Sequence, residues 1–280
     1  MIVSKNLKIV AAGRGRSMSL PSIAEAVLSL ISATTTSFNL VYLGTATYDK
    51  DEAFLIQTEA YRKLPSCQMI KLDVSEAVDN IPSEQETRDA ILSAHAILVS
   101  GGNTLYAINR WKELKIDQFI RQAVEENQPV LCGGSAGAIC WFDYGHSDSM
   151  DPTTFLHVDP NLTEEQKSDW EYIRVEGLGY LPGLCVPHHD AIQSNGVPRS
   201  EDSDAMLLRY PDQISIGIDE NAALIVADGR ARVISADGKA GCVLKKVITP
   251  ENGPTVIERI SFPHSHGSVP VDLLLKCRMS

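Results

Sequence analysis

The sequence lacks a basic excess, a long apolar run and a paired-cysteine motif. Its 280 residues carry a net charge of −11 at pH 7, which argues against nucleic acids and anionic membranes as partners because both bind basic surfaces. No apolar run approaches the ~20 residues of a membrane span, and we identify no signal peptide. The six cysteines form no C-x-x-C pair and mostly lie in apolar segments, as reduced core cysteines do. We therefore expect a cytoplasmic protein.

The first glycine-rich turn lacks the third glycine of a dinucleotide-binding fingerprint. An apolar strand at 7–12 leads into Gly13-Arg14-Gly15-Arg16, but Met18 occupies the position of the last glycine. The pattern therefore disfavours a nucleotide site. It leaves open that Arg14 or Arg16 contacts an anion at the carboxyl edge of the sheet, where α/β proteins bind ligands.

Apolar strands alternate with helical patterns through the first half of the chain. This rhythm is typical of parallel α/β sheets, and 44% hydrophobic residues can fill one large core. We expect a single domain, 1–280, with a hairpin at 222–235 that turns at Asp228-Gly229. The expected strands are 7–12, 38–44, 68–72, 96–100, 129–132, 184–187 and 214–218, and the expected helices are 21–31, 50–63, 84–93, 106–127, 163–170 and 202–210.

The segment 129–142 contains the clearest chemical motif. An apolar strand ends at Gly133-Gly134-Ser135-Ala136-Gly137 and a buried helix follows over 136–142, which matches the G-x-S-x-G spacing of a nucleophilic serine on a strand-to-helix turn. A helix starting at Ala136 directs unpaired N–H groups at any oxyanion on Ser135. The alternative interpretation is a closely packed glycine-rich turn.

A second glycine turn follows the strand at 96–100. Gly101 and Gly102 let the backbone approach a ligand closely, so this turn could supply the second oxyanion donor, and Asn103 could supply a side-chain amide to the substrate. An ordinary turn in which Asn103 and Thr104 cap the next helix is the alternative.

A serine nucleophile needs a base, and the base needs an orienting carboxylate. His188 and Glu220 each follow an apolar strand closely, as Ser135 does, so a parallel sheet would bring the three side chains to one edge. Either group could instead be an ordinary loop residue, and His189 competes with His188 as the base. We favour His188 because it directly follows the strand.

Together these residues resemble peptidase family S51, which includes aspartyl dipeptidase and cyanophycinase. The resemblance implies a flavodoxin-like, three-layer parallel α/β sheet similar to that of class I glutamine amidotransferases, here with a C-terminal β-hairpin extension. The match extends from residue 7 to about residue 233. The motifs that carry it are Gly101-Gly102-Asn103-Thr104, Gly134-Ser135-Ala136-Gly137-Ala138, Ser147-Asp148-Ser149, Pro187-His188 and Gly217-Ile218-Asp219-Glu220.

The resemblance also implies a role for each matching residue. Ser135 is the nucleophile, His188 the general base and Glu220 the third member of a triad. The Gly102 and Ala136 amides form the oxyanion hole. This chemistry needs no cofactor, and we expect none.

Three departures from the family pattern bear on the substrate. The family aspartate, Asp148, is implied to hold the substrate. His189 stands where the family usually has an aromatic residue, which leaves the pocket wall and the choice of base open, and we include it among the candidate substrate-binding residues. The insertion 152–176 and the extension 249–280 are long for a minimal dipeptidase, which puts strict aspartyl-dipeptide specificity in question. Arginines that could pair with an acidic substrate, although a solvated role is the simpler interpretation for each, are Arg14, Arg16, Arg174 and Arg199.

The resulting hypothesis is a serine peptidase that acts on short peptides as a monomer or homodimer. The alternatives are an esterase or amidase acting on a non-peptide substrate, and a non-catalytic ligand-binding protein on the same fold. An amidotransferase is disfavoured because that chemistry uses cysteine at the position of Ser135. His264 and His266 could share a metal, but they have no carboxylate cluster nearby, and we predict no metal site.

Overall fold

Strands and helices alternate from the N-terminus to the serine turn. A computed structural model describes residues 6–31, 36–262 and 267–271. Its first elements are β1 (Ile9–Ala12), α1 (Pro21–Leu30), β2 (Phe38–Leu43), α2 (Asp51–Gln57), α3 (Glu59–Arg62), β3 (Cys67–Leu72), α4 (Glu84–Leu92), β4 (Ala96–Val99), α5 (Thr104–Glu113), α6 (Ile116–Glu126) and β5 (Val130–Gly134). Short 3-10 turns span Gly15–Ser19 and Thr45–Thr47.

The second half of the chain is richer in strands. A further 3-10 turn spans Pro152–Thr154. The elements are α7 (Ala136–Ile139), β6 (Phe142–Ser147), α8 (Glu164–Ser168), β7 (Ile173–Glu176), β8 (Leu181–Pro187), α9 (Arg199–Leu208), β9 (Ile214–Ile218), β10 (Ala222–Ala227), β11 (Arg230–Ser235), β12 (Cys242–Ile248), β13 (Val256–Ser261) and β14 (Val269–Pro270).

The described strands form two sheets. The larger has the order β14-β11-β10-β1-β5-β4-β2-β3, and its five strands from β1 to β3 in that order are parallel. The smaller has the order β13-β12-β9-β8-β6-β7, with β6, β8 and β9 parallel. The predicted hairpin is β10–β11, in which Ala227 pairs with Arg230 across the turn.

Alternation along β1 shows how the large sheet divides the core. Ile9 and Ala11 pack with α4, α5 and α6 on one face, whereas Val10 and Ala12 pack with α1 and α3 on the other. Helices therefore cover both faces of a mostly parallel sheet, which is the predicted three-layer α/β arrangement. The first of these clusters also contains Cys185 and Ile216 of the smaller sheet, so the two sheets share a core.

The two sheets meet beside Gly13, at the carboxyl end of β1. The His188 amide donates to the Gly13 carbonyl over 3.1 Å. A Cβ on Gly13 would lie only 2.0 Å from the Asp219 carbonyl oxygen, so no other residue fits there without displacing the chain. This contact brings the ends of β8 and β9 to the end of β5.

Three details differ from the sequence predictions. The helix expected over 136–142 ends at Ile139, and Phe142 begins β6. The helix expected over 106–127 divides at Lys115, whose φ of 59° lies in the left-handed region. The helix expected over 50–63 divides at Thr58. Apolar periodicity continues across both divisions, and so it does not reveal them.

No helix among the described residues has the length and apolar character required to cross a membrane. The five cysteines in the described part of the chain are free thiols, and all but Cys67 are buried.

Candidate active site

Ser135 lies on the turn between β5 and α7, with φ 56° and ψ −119°. The glycines around it are required by close backbone packing. A Cβ on Gly134 would lie 2.1 Å from the Arg14 carbonyl oxygen, and one on Gly137 would lie 2.2 Å from the Val99 carbonyl oxygen. A non-glycine residue at positive φ is strained and persists only where its surroundings hold it. The geometry is therefore that of the strand-to-helix turn that the G-x-S-x-G spacing predicts.

His188 joins Ser135 to Glu220. Its Nε2 lies 3.0 Å from Ser135 Oγ, and its Nδ1 lies 2.7 Å from Glu220 Oε1. The hydrogen bond from His188 holds the pKa of Glu220 below its ordinary value, although burial opposes this effect. An ionised carboxylate can only accept a hydrogen bond, so Nδ1 carries the imidazole proton and Nε2 accepts from the serine hydroxyl.

We expected the three side chains to lie at one edge of a single sheet, but they come from two sheets. Ser135 follows β5 of the larger sheet, whereas His188 and Glu220 follow the parallel strands β8 and β9 of the smaller sheet. The expectation failed because apolar strands carry no signal of the sheet to which they belong.

Three groups on two other segments, the turn after β1 and the loop after β8, contact Glu220. Arg14 Nη1 donates to Glu220 Oε2 over 3.0 Å, and Ser17 Oγ donates to the Glu220 carbonyl oxygen over 2.6 Å. The Glu220 amide donates to Asp190 Oδ1 over 2.9 Å. Sequence reasoning singled out Arg14 for a different partner and missed Ser17 and Asp190. Only the position of Asp190, directly after His188-His189, gave a signal.

The Gly101-Gly102 turn lies against the serine. A Cβ on Gly101 would be 3.3 Å from the Ser135 Cβ, and one on Gly102, whose φ is 124°, would be 2.1 Å from the Ala46 carbonyl oxygen. Within the described ranges, the Gly102 and Ala136 amides donate to no other group. Both N–H groups are thus free to donate to a ligand.

Asn103 serves as the cap of α5. Its Oδ1 accepts from the Tyr106 amide, and its Nδ2 donates to the Ser149 carbonyl oxygen and to Thr154 Oγ1. These bonds occupy the amide that was predicted to bind substrate. A substrate contact by Asn103 therefore stays a prediction that the present hydrogen bonds do not favour, whereas the capping alternative matches the geometry.

His189 points along the smaller sheet. Its ring packs so closely on Gly217 that a Cβ there would lie 2.5 Å from the ring, and its Nδ1 is 3.3 Å from Asp219 Oδ1. The ring therefore contacts β9, while His188 contacts Ser135. A role for His189 in binding substrate stays a prediction.

Asp148 is paired with Arg199, which is fully buried. Arg199 Nη1 donates to Asp148 Oδ2 over 3.1 Å, and Nη2 donates to the His146 carbonyl oxygen over 2.6 Å. Burial alone would raise the pKa of Asp148, but the charges of Arg199 and His188 hold it below its ordinary value. The solvated role expected for Arg199 is therefore wrong. Substrate binding by Asp148 stays a prediction.

The other arginines of interest lie elsewhere. Arg174 stacks on Tyr144, with its guanidinium carbon 3.3 Å from the ring centroid, and on Tyr210 at 4.2 Å. Arg14 and Arg16 line a cavity beside Gly102. Of the four, these two are therefore the arginines that face a ligand-sized space.

This cavity has a volume of about 370 Å³ and is bounded by the turn after β2, α2 and the beginning of the insertion. Its charged lining residues are Arg14, Arg16, Lys50 and Glu52, so positive charge predominates. Phe155 and Ile56 add apolar surface to its lining. Such a mixture of charged and apolar walls suits a small ligand with an acidic group.

The described residues contain no group of three or more His, Cys, Asp or Glu side chains arranged to hold a metal ion. His264 and His266 lie outside the described residues.

The chain shares its fold with a solved peptidase and its sequence pattern with one protein family. A peptidase from an acI-B1 Actinobacterium aligns with 92% of this chain and 97% of its own, at 22% identity and a TM-score of 0.56. The chain thus has the α/β fold of class I glutamine amidotransferase-like proteins, as predicted. The model of peptidase family S51 matches residues 9–234. The chain belongs to peptidase family S51.

Two curated relatives match most of the chain, and one of them is named as a peptidase. Peptidase E of Nostoc sp. strain PCC 7120 is 27% identical over 197 residues, which are 68% of this chain and 74% of the relative. The G2/mitotic-specific cyclin-1 of Trypanosoma brucei brucei is 30% identical over 234 residues, which are 75% of this chain and 67% of that protein. Membership of family S51 identifies this chain as a peptidase and hence a hydrolase.

Proposed function

We propose that this chain is a serine peptidase that hydrolyses short peptides through an acyl-enzyme and prefers an acidic residue beside the cleaved bond. The observation that carries the proposal is the continuous hydrogen-bonded chain from Ser135 Oγ through His188 to Glu220, with distances of 3.0 and 2.7 Å. These distances are within the reach that proton transfer requires.

In the first half of the reaction, Ser135 Oγ attacks the carbonyl carbon of the substrate while His188 Nε2 takes the hydroxyl proton. The imidazolium is stabilised by ionised Glu220 at Nδ1. It then gives its proton to the leaving amine as the C–N bond breaks, and the acyl group remains on the serine oxygen. Water, activated by the same nitrogen, releases the acid and restores the serine hydroxyl.

The tetrahedral intermediates carry negative charge on the former carbonyl oxygen. The amides of Gly102 and Ala136 are the proposed donors to this oxygen, because Ala136 directly follows Ser135 and the Gly101-Gly102 turn lies against it. Removing one such donor typically reduces kcat by about 10²–10³. The strained backbone of Ser135 and the glycine turn beside it therefore both contribute to the proposed oxyanion hole.

The acidic preference rests on the cavity beside Gly102. Arg14, Arg16 and Lys50 outnumber the single acidic group, Glu52, among its lining side chains. A carboxylate of the substrate would gain charge-assisted hydrogen bonds there that an amide or alkyl group would not. The substrate residue that carries this carboxylate would lie next to the proposed oxyanion hole.

The test combines hydrolysis with labelling of the nucleophile. We expect the wild-type chain to cleave Asp-X dipeptides faster than Glu-X, neutral and β-linked aspartyl dipeptides, and to react with a fluorophosphonate at Ser135. Ser135→Ala removes both activities while keeping the thermal unfolding temperature, because it removes only a hydroxyl. No cleavage together with no labelling of the wild type would contradict the proposal and favour a ligand-binding protein.

A further inference from the structure

Arg14 belongs to two parts of the site at once. Its Nη1 donates to Glu220 Oε2 over 3.0 Å, while the other oxygen of the same carboxylate accepts from His188 Nδ1. Its side chain is 39% exposed and lines the cavity beside Gly102. One guanidinium therefore contacts both the proposed catalytic carboxylate and the proposed substrate space.

The main chain of Arg14 has little freedom, because its carbonyl oxygen packs against Gly134 at the end of β5. A guanidinium has five N–H donors, of which the hydrogen bond to Glu220 uses one. The remaining donors have no partner among the residues that the structure describes. Movement of Arg14 is thus confined to its side chain, which keeps free donors beside the cavity.

A half-exposed ion pair of this kind is weak and exchanges with water. A substrate carboxylate that accepts from the free donors of Arg14 would hold the guanidinium in one orientation. Since Glu220 is bonded to that guanidinium, its carboxylate would be held as well, and the imidazole of His188 with it. Such ordering lowers the barrier of the chemical step and not only the free energy of binding.

We propose that Arg14 is a positioning residue through which an acidic substrate group in the cavity aligns Glu220 and His188. This inference rests on the proposed function. Arg16 and Lys50 line the same cavity but make no ion pair with Glu220. They are therefore expected to attract the acidic group without affecting the alignment of the catalytic residues.

The experiment compares Asp-X with Asn-X dipeptides, which have nearly the same shape and differ in charge. In the wild type, kcat for Asp-X should exceed kcat for Asn-X by about tenfold. Arg14→Lys keeps the charge but loses the planar fork that bridges two carboxylates. We expect it to lower kcat for Asp-X by about tenfold and kcat for Asn-X by about two- to threefold.

Arg16→Lys is the matched control. Arg16→Lys should raise KM for Asp-X and leave kcat nearly unchanged, because Arg16 does not contact Glu220. Equal kcat for the two dipeptides in the wild type would overturn the inference without any variant. It would also be overturned if Arg14→Lys lowered kcat for both by the same factor, since Arg14 would then only brace Glu220.

The two proposals fail in different ways. If Asn-X and Asp-X are both cleaved and Ser135 is labelled, but the ratio of their kcat values is near one, the serine peptidase proposal survives and the role of Arg14 does not. If neither dipeptide is cleaved and no labelling occurs, both proposals are wrong.

Discussion

Two neighbouring histidine–carboxylate pairs at the ends of β8 and β9 have different surroundings. His188 contacts Ser135 through one ring nitrogen and Glu220 through the other. His189 is 3.3 Å from Asp219 and lies against β9, and its buried Nε2 has no hydrogen-bond partner among the described residues. Adjacent residues of the same types thus form one pair that touches the nucleophile and one that does not.

The backbone determines this difference. Side chains alternate between the two faces of a strand, so consecutive residues at its end point in different directions. The positive φ of His188, 50°, turns its ring toward Ser135, and the contact of its amide with Gly13 holds that turn in place. Residue type alone therefore cannot identify the base.

The strongest test of this comparison is to replace each ring by glutamine. His188→Gln removes the group that takes the Ser135 proton, so we expect kcat/KM to fall by about 10⁴–10⁶, as much as in Ser135→Ala. His189→Gln should reduce kcat/KM by less than about tenfold, because its ring contacts Gly217 and Asp219. The kcat/KM of both variants is measured by dipeptide hydrolysis. Equal losses of kcat/KM would show that His188 is not the base in preference to His189.

A smaller effect is expected from the two carboxylates. Glu220→Gln keeps the size of the side chain but removes the charge that favours the tautomer with the proton on Nδ1, so kcat should fall by about 10³–10⁴. Asp219→Asn makes the same chemical change in the neighbouring pair and should cost less than about tenfold. Labelling of Ser135 by a fluorophosphonate should slow in the first variant only. A large loss in Asp219→Asn would contradict the assignment.

The smallest effect concerns a third pair, in which the histidine is fully buried and the carboxylate is partly exposed. His146 Nε2 lies 2.8 Å from Asp202 Oδ1, and burial lowers the pKa of His146 from 6.5 to about 4. An unfolded histidine therefore binds a proton at a pH where the folded one does not. Acid then favours the unfolded state. The free energy of unfolding therefore falls as the pH drops from 6.5 to about 4, by on the order of 2–3 kcal/mol.

His146→Gln should remove this contribution while keeping a donor for Asp202. Urea unfolding at about pH 7.5 and about pH 4.5 should show a smaller loss of stability on acidification in the variant than in the wild type. The depressed pKa of Glu220 contributes to the acid sensitivity of both proteins, so the difference between them reports His146 together with Asp202, whose pKa is lowered by its hydrogen bond to His146. The same loss in both would mean that His146 is not the group responsible.

Local patterns predicted the parts of the fold that depend on local chemistry. The serine turn was predictable because the glycines at 133, 134 and 137 are required by contacts made within one strand-to-helix turn and its neighbours. The β10–β11 hairpin was predictable because Asp228-Gly229 fixes its turn. The approach of His188 and Glu220 to Ser135 was predictable from their positions after apolar strands. The membership of those strands in a second sheet was not predictable.

The remaining features depend on contacts between distant segments. Phe142–Ser147 contains Asp143, Gly145 and His146, a polar composition that gives little strand signal, yet β7 and β8 pair with it on both sides. The ion pair of Arg14 with Glu220 joins residues 206 positions apart. No local pattern predicts such a partner, because Arg14 and Glu220 would each be equally stable as a solvated surface residue.

Asn103 has a consequence for anyone who wishes to change what this enzyme accepts. Asn103 is the next residue after Gly102, and its side chain donates hydrogen bonds to Ser149 and Thr154, near the start of the insertion. Tyr48 also donates to the Thr154 carbonyl oxygen. We therefore expect remodelling of the cavity wall at Thr153–Phe155 to shift the amide proposed to stabilise the reaction, so that substrate preference and turnover would change together.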